Sequence, residues 1–221
     1  WVHQFSFDEA RERDFVRKAV DSIRATTGQR PLGWLSRYLH SPRLRRTLVE
    51  EGFLYHMDDF SDDVPRWDVV ETDAGPRAIV LVPYALDTND MKFWLAPGYT
   101  PEQWLDYAIE TFDVLHEEGA AAPRMMSLGV HLRIIGRPGR IRAFDRFIQH
   151  ARSKSGVWFA TRLQIARAFA AATPGIPANK MPGPPWLFSI CAAAACMDMR
   201  PATSLMGASK GKVPAREVTV S

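Results

Sequence analysis

Cysteine is scarce in this chain: 221 residues hold two, Cys191 and Cys196, with four residues between them. That number excludes a disulfide scaffold and, with no histidine beside the pair, a zinc-binding module. The chain ahead of them has no cysteine, which suits a reducing, cytoplasmic compartment. Long apolar runs are missing too. None reaches the roughly 18 residues that a membrane span requires, and the nearest, "WLFSICAAAACM", reads as a short alanine-rich helix. An excess of one charge is also lacking over most of the length. The net charge is +3, and all of it comes from Lys180, Arg200, Lys210, Lys212 and Arg216 set against Asp198 and Glu217. Ahead of Pro174 the two signs balance, and no basic face or aromatic-basic interleaving is present, so neither nucleic acid nor a membrane is an expected partner. The first residues, "WVHQF", are neither an initiator sequence nor a signal or transit peptide, and the chain reads as beginning inside a fold.

What is present is a globular pattern, 46% hydrophobic, enough for one core. Ser6 and Glu9 are placed as a capping box for a helix with Val16, Ala19, Val20 and Ile23 on one stripe and Gly28 as its stop. Ser41 and Pro42 open a second helix that ends at Gly52. "FLYHM" and "AIVLVPY" read as strands. Thr100 and Gln103 cap a long helix with Trp104, Ala108, Phe112 and Leu115 inward. "RMMSLGV" is the next strand, and the helix after it carries Ile141, Phe144 and Ile148 at helical spacing. "GVWFA" and a helix capped by Thr161 and Gln164 complete the pattern. Alternating strands and helices with short joints predict an α/β protein with a parallel sheet, open or closed. The periodicity collapses after Pro174. The expected organisation is therefore one domain over 1–173 and a poorly ordered Pro/Ala/Gly-rich tail over 174–221.

Chemistry in such folds gathers where strands end. Four places qualify: His3 in "WVHQ"; the acidic loop "HMDDFSDDVPRW" with Asp58, Asp59, Asp62 and Asp63; "VPYALDTNDMKFW" with Asp87, Asn89 and Asp90; and "SLGVHLRIIGRPGRI", where an apolar run stops at His131 and continues through Arg133, Arg137 and Arg140. A histidine facing carboxylates can protonate a leaving amine while a carboxylate activates water, the equipment for cleaving a C–N bond. Each acidic loop also has a plain reading as solvated turns and helix caps. His40, His56, His116 and His150 receive no functional role; the last two sit in final helical turns, where a cation suits the dipole.

"TGQRPLGW", "LVEEGFLYHMDDFSDDVPRW", "VPYALDTNDMKFW" and "MMSLGVHLRIIGRPGRI" together resemble the polysaccharide deacetylase (NodB-homology) superfamily, and within it the branch of allantoinases, over about residues 1 to 172. The resemblance implies a distorted (β/α)7 barrel and removal of an acyl group from nitrogen. It also implies an aspartate base, a metal held by one Asp and two His, and a late histidine as acid. His131 matches that late histidine, His3 the second histidine of a His-x-x-x-His segment, and Asp59 and Asp62 the region of an Asp-x-x-Asp-Trp motif in which Asp63 replaces the tryptophan. The opening Asp-Asp strand and the first histidine are not in the chain, and "GWLSRYLHSP" stands in place of an Arg-x-Pro-aromatic motif. The barrel is thus expected to lack its first strands.

The resulting expectation is a C–N hydrolase of the allantoinase-like kind, with His131, Asp59 and Asp62 catalytic and Asn89, Asp90, Arg133 and Arg137 binding substrate. His3 is a candidate remnant metal ligand. The alternatives are an N-acetyl-sugar deacetylase and a non-catalytic remnant that keeps a ligand pocket. A divalent metal, zinc, goes with the deacetylase reading, and no cofactor with the allantoinase-like one. The partner is a small ureide or N-acetylated sugar, and an open sheet edge would favour a homo-oligomer. Residues 1–221 alone are expected to have little hydrolase activity.

Overall fold

The computed structural model describes residues 4–36 and 40–174, together with the backbone of 188–194. The helices are α1 (Glu9–Thr27), α2 (Leu44–Glu50), α3 (Pro101–Glu118), the single turn α4 (Leu132–Ile135), α5 (Pro138–Ser153) and α6 (Arg162–Ala172). The strands are β1 (Gly33–Trp34), β2 (Tyr55–His56), β3 (Arg66–Thr72), β4 (Gly75–Leu81), β5 (Met125–Val130), β6 (Val157–Phe159) and β7 (Phe188–Ala194).

Most helix boundaries follow from local chemistry. Thr100 with Gln103 and Thr161 with Gln164 form complete reciprocal capping boxes at α3 and α6. Gly28 ends α1 in the left-handed region and sends its N–H to Arg24 O. The start of α1 differs from expectation. Asp8, not Ser6, is the N-cap, its carboxylate accepting from Arg11 N–H, because an ionised acceptor suits the helix N-terminus better than a hydroxyl. On α5 the inward stripe is Ala143, Phe147 and Ala151; Phe144 and Ile148 pack at its edge and Ile141 is exposed.

The strands form a mixed α/β fold with two hydrogen-bonded sheets, ordered β1-β2-β4-β3 and β5-β7-β6. In the first, β1, β2 and β4 are parallel and β3 is antiparallel to β4, joined to it through a tight turn at Gly75, whose φ is +97°. The expected all-parallel arrangement is corrected here. "RWDVVET" mixes exposed and half-buried residues on the sheet's edge with only weak alternation, which leaves it without the buried-strand signature. The second sheet is parallel throughout, and β7 pairs along all of β5, Met125 opposite Ser189 through Val130 opposite Ala194. Seven residues of the expected tail, within the run read as an alanine-rich helix, are therefore strand. Pairing on both edges outweighs the helix preference of alanine. Apart from Pro174, the rest of that tail lies outside the described residues, as does His3. Among the described residues the two sheets do not close into one ring.

Three apolar clusters support this frame. Trp104, Phe112 and Phe147 anchor the contact of α3, α5 and β5, with Phe112 edge-on to Phe147 at 6.1 Å. Val16, Trp34, Leu48 and Ile79 join α1 and α2 to the first sheet. Val80 and Val82 meet Met125, Ile165 and Phe169 between the sheets. No helix among the described residues is long and apolar enough to cross a membrane.

Candidate active site

Parallel strands deliver the segments that follow them to one edge. After β1 come Ser36 and His40, after β2 Asp58 and Asp59, after β4 Tyr84, Asn89 and Asp90, after β5 His131, and after β6 Arg162.

His131 is the extended residue between β5 and α4. Asp90 begins a 3-10 turn, Asp90–Phe93, and is fully buried. Its Oδ1 lies 2.7 Å from His131 Nδ1, while Oδ2 accepts the backbone N–H of His131 at 2.7 Å and of Ile135 at 3.2 Å. An ionised carboxylate can only accept, so Nδ1 carries a proton toward Asp90 and Nε2 is the nitrogen that remains available to a ligand. The His131 side chain is 29% exposed, open enough for a ligand to reach it. Asp90 was expected to touch substrate. Its two oxygens are instead committed to His131 and to the orphan N–H groups at the start of α4.

Asn89 is held nearly as firmly. Its Oδ1 accepts Met91 N–H at 2.8 Å and its Nδ2 donates to Tyr84 Oη at 2.9 Å. Both groups press on β5 at Gly129, where a Cβ would lie 2.4 Å from each. A side chain at 129 would push the Asn89–Asp90 turn away from His131.

Asp59 is buried and takes hydrogen bonds from Ser61 Oγ at 2.8 Å and from Arg66. Burial pulls its pKa upward, but Ser61 and the Arg66 charge outweigh that and hold it below the ordinary carboxylate value. Its backbone oxygen accepts Tyr84 N–H at 2.8 Å, which ties the acidic loop to the Tyr84–Asp90 loop. Asp62 is exposed and turns its carboxylate back onto Asp63 N–H. Arg133 and Arg137 are exposed; the Arg133 guanidinium lies 5.5 Å from the Trp94 ring centre, and Arg137 is the N-cap residue of α5.

Two groupings escaped the sequence reading. Arg162, 7% exposed, donates to Val82 O and Pro83 O at the end of β4 and to Ser127 Oγ on β5, with its guanidinium over the Tyr84 ring. It fixes the spacing of the two strands that present Asp90 and His131. Its position just after a capping threonine makes it read as a surface residue. The second grouping is His40, His56 and Asp58, whose ligand atoms all lie within 4.8 Å of one another and could hold a metal ion. Asp58 Oδ2 is 2.7 Å from His56 Nε2 and 4.0 Å from His40 Nδ1. Burial, and then the nearby His56, hold the His40 imidazole below its ordinary pKa. One signal was available: His56 and Asp58 are two apart at a strand end and so share a face. His40 comes from a distant loop and carried none.

No family model matches the chain. A curated protein of Schizosaccharomyces pombe that carries the name polysaccharide deacetylase is 35% identical over 188 residues, 79% of this chain and 59% of that protein. A solved structure from Pseudomonas aeruginosa, described as a probable polysaccharide deacetylase, is 45% identical with a TM-score of 0.72, covering 80% of this chain and 58% of that one. The solved PuuE allantoinase is 42% identical with a TM-score of 0.73 over the same shares. The chain spans rather less than two thirds of the length of these relatives. By sequence and by fold the chain is similar to polysaccharide deacetylase-type proteins, an allantoinase among them.

Proposed function

We propose that this chain carries the acid half of a hydrolytic site for a non-peptide C–N bond, and that it acts as an allantoinase-like member of the deacetylase group. The observation that carries this reading is the His131–Asp90 pair, with Nδ1 locked by a buried carboxylate and Nε2 open. Water adds to the carbonyl carbon of the substrate, the C–N bond breaks, and His131, entering the step as an imidazolium with Nδ1–H on Asp90, passes its Nε2 proton to the departing nitrogen and is left neutral. Asp90 keeps the ring aimed and supplies a countercharge to the imidazolium. Asp59, ionised at neutral pH, is the proposed acceptor of the proton that water gives up, with Asp62 beside it in the chain. Arg133 and Arg137 are proposed donors to substrate oxygens. A small ureide is the substrate class that the similarity to an allantoinase favours. The barrel that the resemblance implies is also part of the proposal.

A second reading, deacetylation of an N-acetylated sugar, is favoured by exposed aromatics around the same loops. Trp94 under Arg133 and Phe60 against Tyr84 are each more than half exposed, and sugar rings stack on such surfaces. The test measures hydrolysis of allantoin and of N-acetylglucosamine oligomers by the chain as given and with any further residues that its gene encodes. Turnover of allantoin that falls about a hundred- to ten-thousand-fold in His131→Asn, with an unchanged melting temperature, is the expected result. Turnover of the oligomers alone selects the second reading. Full activity in His131→Asn overturns both.

A further inference from the structure

We infer that His40, His56 and Asp58 form a divalent-metal site, separate from the His131–Asp90 pair and from any site that uses His3. The inference stands independently of the hydrolase reading.

The donor set is two imidazoles and one carboxylate, which suits zinc and its first-row neighbours. A single ion about 2 Å from each ligand needs donor atoms about 3–3.5 Å apart. The three donor atoms already lie within 4.8 Å of one another. Asp58 is the fixed member, its oxygens accepting Ser36 N–H at 2.9 and 2.8 Å, while Ser36 Oγ accepts from Trp34 Nε1 at 3.0 Å. Outer partners of this kind hold a ligating carboxylate in place. His56 is wholly buried on β2. His40, on a loop and partly exposed, is the member free to close the remaining gap.

Charge supplies a second, independent argument. Asp58 has no lysine or arginine within ion-pair distance among the described residues, and neither has the fully buried Glu12. Glu12 sits under the same loop, accepting Ser41 Oγ and, at 2.7 Å, Thr47 Oγ1. Buried carboxylates are ordinarily matched by cations or metals, and among the described residues neither of the two beside His40 has a lysine or arginine partner. One neighbour opposes binding. Arg45 Nε lies 3.4 Å from His56 Nδ1 and can only donate, which favours the proton on Nε2, the nitrogen the ion needs. That contact is at the long limit, and Arg45 has a firmer partner in Asp68 at 2.9 Å. Three protein ligands leave a coordination position for water, as in hydrolytic rather than structural zinc sites.

The probe is Co²⁺ alone, titrated into chelator-stripped full chain and followed by visible absorption, with bound metal counted after dialysis. The expected result is one ion per chain, lost in His40→Ala and in Asp58→Asn, retained in His3→Ala and in His131→Asn, and bound several-fold more tightly in Arg45→Met. His40→Ala removes a partly exposed side chain, so its melting temperature and circular dichroism serve as the folding control. Failure of the unsubstituted chain to bind Co²⁺ below about 100 µM, or loss of the ion in His3→Ala with retention in His40→Ala, overturns the inference. Because His131→Asn should lower turnover and leave the ion in place, failure of the metal site and failure of the hydrolase reading give different results.

Discussion

Asp90 grips His131 at two points, the ring through Oδ1 and the backbone N–H through Oδ2, each at 2.7 Å. In Asp90→Asn the amide oxygen can still accept the backbone N–H groups of His131 and Ile135. The amide nitrogen would then face His131 Nδ1 as a donor. The ring must answer by leaving Nδ1 unprotonated, which forces the other neutral tautomer and deprives the imidazolium that donates from Nε2 of both its hydrogen-bond partner and its countercharge. A tautomer error of this kind costs about 10⁴-fold in kcat in the serine protease triad. We expect a loss of about 10³- to 10⁴-fold in kcat, with a small change in KM. Steady-state kinetics beside a thermal melt checks it, and a loss confined to KM would contradict the role given to Asp90.

Gly129→Ala tests the wedge between β5 and the Asn89 turn. The new methyl would lie 2.4 Å from both Asn89 Nδ2 and Tyr84 Oη, so one of them must shift. Overpacking of this kind costs about 1–3 kcal/mol, measurable by urea denaturation. Activity should fall with it, because Asp90 is the next residue along. A variant as stable and as active as the unsubstituted protein would mean that the turn is softer than described.

The sequence showed what local chemistry decides. The capping boxes at Thr100 and Thr161, the glycine stop of α1, the part of the "AIVLVPY" strand that β4 contains (78–81) and His131 at a strand end can each be read within a few residues. Elements whose reason lies elsewhere in the chain were not legible. β3 is held by its partner β4 and shows only weak alternation. β7 is an alanine-rich run made into strand by β5 and β6. The same division holds in the site. Asp90 stands out in the sequence as an acid in a loop after a strand, but nothing local says that its oxygens meet a histidine 41 residues on. Arg162 and His40 act through contacts 80 and 18 residues away.

Arg162→Met should be severe for stability. The methionine fills much of the volume but donates nothing, leaving Val82 O, Pro83 O and Ser127 Oγ without the guanidinium. Pro83 O keeps Ser127 Oγ as a donor at 3.2 Å; with about 1–3 kcal/mol for a buried acceptor left unpaired and the lost packing of the guanidinium, we expect a total loss of about 2–4 kcal/mol. Arg162→Lys, which keeps one donor group, should recover part of it. Chemical denaturation of both variants checks the order; equal stability of Met and Lys would show that hydrogen bonding is not what the arginine contributes.

Asp63 provides a pH test with the opposite sign to most carboxylates. Burial raises its pKa, and Asp62, Asp87 and Glu118 push it the same way against the weaker pull of Arg124. The folded protein therefore holds this proton more readily than the unfolded chain. Between the ordinary carboxyl value of about 4 and the raised folded value, the native state carries more protons, so stability falls as pH rises through that window. Above it the charged Asp63 opposes folding by a constant amount. Asp63→Asn removes the charge at nearly constant shape. Its melting temperature at about pH 7 should exceed that of the unsubstituted protein by about 1–3 °C. The gap should close at about pH 3.5, where both carboxyl states are protonated. Melts at the two pH values check the sign, and a variant less stable at neutral pH, or a gap that widens on acidification, would mean that the Asp63 charge stabilises the fold.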